Sequence, residues 1–416
     1  MSNPSNLGVI AYAAESAFSE SSTTFGERLP TVGPVDVSGL NQDRIDTDRT
    51  SNRRNESWHH IRGPFSGSVS VELLWTGHGS TAAGVITATQ LPTFLGHCVG
   101  ASATDSVGAA LDGAAAGTAA VPIFAGGAEA FADGALCRMG EPSDGAGEGQ
   151  ALAVDNLTGA NLTLLTAAPA APAVNDVIYA METVIPDSRP NAGNPTTVRL
   201  QFVTANQRYN LHGCQMTGID FPDMNPGDLP RIRVTFAVSR WNTESASTWP
   251  STDNVDSFSV APIAAGSMFY NVYGTSTRQE ISIRDFSLSI NVEAGLKPGP
   301  DSATTNPHEM YVGSFMNRCQ ASFNFSIDAE AAGTSTFGDI FTTDENSLNY
   351  YHFLYTMSSA DGKSAAIYFP YCTITSPHPV QEATDGYNTQ RVAFEAQTSA
   401  DVTSELTAAN FVLGFG

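Results

Sequence analysis

Lysine is almost missing from this chain. Only Lys297 and Lys363 occur, and with the arginines they give 19 basic residues against 42 acidic ones, a net charge of −23. Such a balance argues against a binder of the nucleic-acid backbone, because it repels phosphate. It fits adaptation to saline surroundings equally well. Cysteine is scarce and odd in number: positions 98, 137, 214, 319 and 372 have no metal-ligand spacing, which predicts buried thiols and no disulfide framework. No apolar run reaches membrane-spanning length. The start, MSNPSNLGVIAYAAESAF, lacks the basic and then apolar order of a secretory signal. The expectation is a soluble protein made in a cytoplasm.

Catalytic signatures are missing too. There is no GxSxG, no P-loop and no Gly-rich turn between a strand and a helix. His59-His60 with His78 or His97 makes a poor metal set, since adjacent histidines on a strand point to opposite sides and no HExxH or CxxC accompanies them. Asp43, Asp46 and Asp48 offer hard oxygens, but without the central Gly and terminal Glu of an EF-hand. The pairs Asp220/Asp223 and Asp46/Asp48 are what any chain so rich in carboxylates contains by chance. Trp58, Trp75, Trp241 and Trp249 are too dispersed for a base-stacking platform. The expectation is no enzyme, no cofactor and no metal.

What the chain has in quantity is alternation. Its 416 residues are 41% hydrophobic and only 15% charged, with abundant turn formers, which points to an all-β protein with long loops. From Arg199 to Arg240, two alternating runs flank the turn cluster Asn225-Pro226-Gly227-Asp228, and Ile232, Val234, Phe236 and Val238 share one face. The stretch Ala365–Gln397 repeats the pattern. Cys214, Thr217, Arg233, Val234 and Phe236 have the spacing of Cys372, Thr375, Arg391, Val392 and Phe394, as one strand-pair unit used twice would give. Cys214, Val234, Phe236, Cys372, Val392 and Phe394 are therefore candidate core residues of the repeat.

The division that follows is a first unit over 1–245 and a second over 246–416. The first carries an N-terminal arm and an Ala/Gly-rich insertion at about 101–195. Val69, Val71 and Leu73 alternate as a strand in the first unit, and Phe323, Phe325 and Ile327 hold the same slot in the second. Phe269–Tyr273 and Ile281–Val292 read as strands, and strand pairing resumes over Asn156–Leu165 and Val177–Val184. Three helices are expected: Gly8–Phe18, Leu91–Cys98, and Asn346–Met357 in the slot of the second.

One segment breaks the acidic rule. From Arg28 to Arg62 there are six arginines against five acids, so the other residues sum to −24. An Arg-rich arm on an acidic body suits contact with the acidic surface of a neighbouring copy. Arg44, Arg49, Arg53, Arg54 and Arg62 are the candidate inter-subunit residues, against the alternative of a solvated loop pairing with Asp43, Asp46 and Asp48.

The run RDFSLSINVEAGLKPG, followed after a loop by YVGSFMNRCQASFNFSID, resembles the tail tube (major tail) proteins of long-tailed bacteriophages. So does LPTVGPVDVSGLNQDRID ahead of GPFSGSVSVELLWTGHGSTAAG. The resemblance covers most of 30–100 and 199–400. It implies a β-sandwich or partial barrel with a short flanking helix, joined edge to edge into rings that stack as a tube. It also implies a virion tail location, a tape-measure protein among the partners, and transient passage of double-stranded DNA along an acidic channel. Two tube-like units per chain would close a pseudo-six-fold ring from three chains. Six chains are needed if one unit is external, and the unequal insertion favours that hexamer. The competing expectations are a capsid decoration or tail-tip or fibre module, and a carbohydrate-binding β-sandwich.

Overall fold

The computed structural model of the chain describes residues 10–19, 27–29, 31–32, 35, 37–47, 59–75, 79–80, 86–87, 90–99, 103–104, 110–112, 114–124, 134–139, 150–158, 161–171, 177–186, 197–204, 207–222, 224–245, 263, 267–275, 279–299, 311–328, 350–358, 364–375, 380–384, 387–397 and 409–416. Among these the protein is all-β with a single helix, and its ladders are antiparallel.

The first unit is built from β1 (Ile10–Ala14), β2 (Ser68–Leu74), α1 (Gln90–Val99) and a later group of strands reached through the insertion. The insertion contains β3 (Leu136–Met139) and β4 (Ala151–Thr158). The chain re-enters the first unit at β5 (Glu182–Val184) and continues through β6 (Val198–Thr204), β7 (Gln207–Asp220) and β8 (Arg231–Ser245). The second unit comprises β9 (Ser267–Val272), β10 (Asp285–Pro298), β11 (Tyr311–Asp328), β12 (Tyr351–Ser358), β13 (Ala365–Ile374), β14 (Tyr387–Ala396) and β15 (Val412–Phe415).

The two units share a register residue by residue. Cys214 stands opposite Val238 and Met216 opposite Phe236; Cys372 stands opposite Ala396 and Ile374 opposite Phe394. On the other side of each cysteine strand, Val198 faces Cys214 and Leu200 faces Leu211, just as Tyr351 faces Cys372 and Phe353 faces Phe369. Both ladders are irregular at that step, so even the bulge is duplicated. Val69 opposite Phe236 and Val71 opposite Val234 recur as Phe323 opposite Phe394 and Phe325 opposite Val392. Strand pairing that repeats this closely places each inward residue of one unit on its counterpart, because a one-residue slip would turn every side chain outward.

A continuous core runs through both units, from Ile10 to Phe415. The helix lays Leu91, Phe94, Leu95 and Cys98 on the first unit, with Phe94 edge-on to Tyr12 at 5.0 Å; Pro92 sits in its first turn, where a missing N–H does no harm. The second unit has an aromatic centre instead. Phe323 stacks on Phe369 at 4.2 Å, Phe353 meets Phe394 at 4.4 Å, and Phe286 stacks on Tyr355 at 4.5 Å. Such pairs add about 0.5–1.5 kcal/mol each beyond area burial.

Two expected helices are strands. Gly8–Phe18 contains β1, whose Ile10, Ala11 and Tyr12 are all buried, and Asn346–Met357 contains β12. The latter is the counterpart of β6, not of α1, as its pairing with Cys372 shows. Leu91–Cys98 is helical as expected. Ile281–Val292 holds two strands, Gln279–Ser282 and β10.

The insertion forms a seven-stranded sheet of its own around Cys137, Met139, Leu152, Val154, Leu162 and Ile178. Its other face, with Leu136, Ala151, Ala153 and Met181, packs on Phe269, Leu354, Ala366 and Tyr368 of the second unit. An excursion from one unit thereby covers the outer sheet of the other. β15 adds a second tie, bonded on one side to β5 and on the other to β13.

Candidate functional site

The long sheet of the two units has a buried face and a polar one, and the polar one is the candidate surface. On β2, buried Val69, Val71 and Leu73 alternate with Ser68, Ser70 and Glu72; on β10, buried Phe286, Leu288 and Ile290 alternate with exposed Ser287, Ser289 and Asn291. This is the period-two pattern of a sheet with one solvated side.

Its charges are arranged in opposition. Glu72 accepts from Arg231 at 2.9 Å and from Arg233 at 3.1 Å. Burial alone would raise the Glu72 pKa, but the two guanidinium hydrogen bonds prevail and hold it below the usual carboxylate range. Glu395 accepts from Gln320 and lies 3.9 Å from Arg318. Arg391, in the place of Arg233, donates through Nε and Nη2 to the amide oxygen of Asn324 at 3.0 and 2.7 Å. Ser70 and Thr235 share a hydrogen bond of 2.9 Å. The carboxylates of Glu72, Asp220, Asp285, Glu293 and Glu395 are interspersed with the guanidinium groups of Arg231, Arg233, Arg318 and Arg391. Five carboxylates and four guanidinium groups leave these described residues nearly balanced.

Joining the units is a short ladder in which Ile219 stands opposite Ile290 and Asp220 opposite Ser289. It splices β7 of the first unit to β10 of the second and so extends one sheet across both.

From the same end of the sheet each unit sends out a hairpin. In the first unit, Asn41–Thr47 pairs with His59–Ser66, and Arg44 stands directly opposite Arg62. Arg49, Arg53 and Arg54 lie outside the described residues, as does Asp48. In the second unit the corresponding hairpin is the far part of β10 and β11, where Leu296 faces Ser314 and Val312 is 44% exposed. A two-stranded hairpin is marginal alone in water, and the first one leans on the sheet through Phe65, edge-on to Trp241 at 5.7 Å.

The six candidate core residues, Cys214, Val234, Phe236, Cys372, Val392 and Phe394, are all buried. Burial pushes the thiols of Cys214 and Cys372 well up, leaving them as inert packing groups. Two buried polar sites were not foreseen. Glu15 accepts from the N–H groups of Gly213 (2.9 Å) and Ser19 (3.2 Å) and from the Thr197 hydroxyl, fixing a bend where Gly213 takes a positive φ of 58°. His352 lies between the Tyr368 hydroxyl and the Thr275 carbonyl oxygen, each at 3.1 Å.

Among the described residues no group of three His, Cys, Asp or Glu is placed to hold a metal ion, and no helix is long and apolar enough to cross a membrane. No protein-family model matches the chain, and no curated protein matches it.

Proposed function

We propose that this chain is a structural subunit of a bacteriophage tail tube, without enzymatic activity, assembling with its own copies into stacked rings. The observation that carries the reading is the register-matched duplication, with the two copies already spliced edge to edge by Ile219–Ile290. A repeat joined head to tail is half of a ring-building device, since the same contact between chains closes a circle and a second contact along the axis makes a filament. The hairpins projecting from one end of the sheet supply that axial contact. In this reading the polar face lines the channel, and its ion-paired, hydroxyl-rich surface lets double-stranded DNA or a tape-measure protein pass without sticking. Because both units contribute to one sheet, three chains making a pseudo-six-fold ring suit the molecule better than six chains with one unit outside.

Electron microscopy of concentrated protein tests this. Rings or tubes with an axial channel are expected, and end-on averages count the chains. A monodisperse monomer would remove the reading, while channel-free trimers on a capsid lattice or tail tip would shift it to a decoration or fibre module.

A further inference from the structure

The strand β15 lies in a slot whose two walls are also held from behind. On one side Phe415, Gly414 and Leu413 face Glu182, Thr183 and Val184 of β5; on the other, Phe415, Gly414, Leu413 and Val412 face Ala365, Ala366, Ile367 and Tyr368 of β13. Each wall has a second ladder of its own. Thr183 and Val184 pair with Thr104 and Ala103, and Ala365–Tyr368 pairs with β12. At one end of the slot the Asn410 amide donates to the Cys319 carbonyl oxygen. At the other, Ser364 and Gly416 exchange two backbone hydrogen bonds of 2.7 and 3.0 Å.

The segment alternates in size as well as in direction, and residues 409–416 are all buried. Phe411, Leu413 and Phe415 enter the continuous core, where Phe415 stacks on Trp75 at 4.9 Å. Val412 turns the other way, into the cluster that holds Leu136 and Met181 of the insertion. On that side Gly414 and Gly416 leave no room for a side chain. A Cβ at 414 would lie 2.7 Å from Leu136 and 3.1 Å from Met181; one at 416 would lie 2.5 Å from the Ser364 hydroxyl and 3.0 Å from Met181. Leu136, Met181 and Ser364 are themselves fully buried, so none can swing aside into solvent. The insertion therefore closes over the strand at positions where the strand presents glycine.

We propose that this slot is a binding site for an extended apolar peptide of the pattern Phe-Val-Leu-Gly-Phe-Gly. In the folded chain residues 411–416 fill it, and it takes the same strand when offered as a separate molecule. Main-chain ladders on both sides supply affinity, and the alternation of deep pockets with places that admit no Cβ supplies selectivity. The occupant also ties three parts of the molecule, since β5, β13 and the inner face of the insertion all close on it. None of this depends on the ring reading.

The full chain carrying Gly414→Leu tests the site, because the new side chain meets Leu136 and Met181 while every wall residue is kept. By hydrogen exchange, the amides of Val412–Phe415 are expected to lose their protection while those of β7 and β8 keep theirs. A fluorescein-labelled peptide ANFVLGFG, carrying a solubilising tail, should then be retained by the variant in equimolar amount and raise its melting temperature. Wild type, its slot filled, should retain none, and a peptide with leucine in place of its first glycine should bind neither protein. If the variant does not fold alone, refolding it with the peptide is expected to return soluble protein with the circular dichroism of wild type. Unchanged protection of Val412–Phe415 in the variant, equal retention of peptide by both proteins, or a variant that neither retains the peptide nor is recovered by it overturns the proposal.

Discussion

Phe236 and Phe394 occupy one position twice. Each stands opposite the residue two past a buried cysteine, Met216 or Ile374, and on its other edge faces β2 at Val69 or β11 at Phe323. Their surroundings differ. Phe236 has the helix ring Phe94 at 6.0 Å, whereas Phe394 touches Phe323, Phe325 and Phe353 within 4.4–5.7 Å. Replacement of either by Ala should cost about 3–5 kcal/mol, with Phe394→Ala the more damaging because several ring contacts go together. Urea or thermal unfolding checks both, and a negligible change at either site would take that strand out of the core.

His352 should make stability pH-dependent. Burial is the main cause that lowers its pKa to about 4, against a smaller upward pull from the Thr275 hydrogen bond. The unfolded chain binds the proton first, so stability is full above the ordinary histidine pKa and falls as pH drops from about 6.5 toward 4. The loss attributable to this group is on the order of 3 kcal/mol at the acid end. Glu15 has the opposite sign: burial chiefly raises its pKa, so its contribution diminishes as pH rises above its ordinary value. Comparing wild type with His352→Gln leaves Glu15 in both, and the variant should show a shallower decline in melting temperature over that window. Parallel curves would mean that the ring is not the group responsible.

Glu72→Gln removes the counter-charge of Arg231 and Arg233. Both arginines are well exposed, so the stability change should stay below about 1 kcal/mol. In assembled particles the effect should be larger and of another kind: a salt-dependent retention of DNA that wild type lacks. Filter binding at low and high salt measures it, and equal retention by both proteins would argue that this face does not line a channel.

Reversing Arg49, Arg53 and Arg54 to Glu tests the arm. The chain should remain folded with an unchanged melting temperature, while tubes shorten or stop at single rings. Unchanged tube length in micrographs would remove the arm from the axial contact.

The strands legible in the sequence were those with one wet face. Val69, Val71 and Leu73 and the run Ile232–Val238 show clean alternation because Ser70, Glu72, Arg233 and Thr235 face solvent. The strands misread as helices are covered on both faces. In β12, Tyr351, Phe353 and Tyr355 enter the core while His352 and Leu354 are buried on the opposite side, so period two is erased. β1 is masked in the same way, and its alanines added a helical bias. The repeat was visible from five spacings, but the joint at Ile219–Ile290 was not, because two residues of a ladder leave no pattern. Net charge sums the whole surface, so the local pairing of Glu72 with Arg231 and Arg233 on this face could not be read from it.

The insertion has made the duplicated halves unlike. Where the second unit presents Leu354 and Tyr368 to the insertion sheet, the same two places in the first hold Gln201 and Asn210, which hydrogen-bond to each other at 2.7 Å. A chain rebuilt from two first halves would spread a lid over amides, and one built from two second halves would leave Leu354 and Tyr368 wet. The two halves therefore present unlike surfaces at equivalent places, amides in one and apolar side chains in the other, which gives the molecule a sense of direction along its sheet.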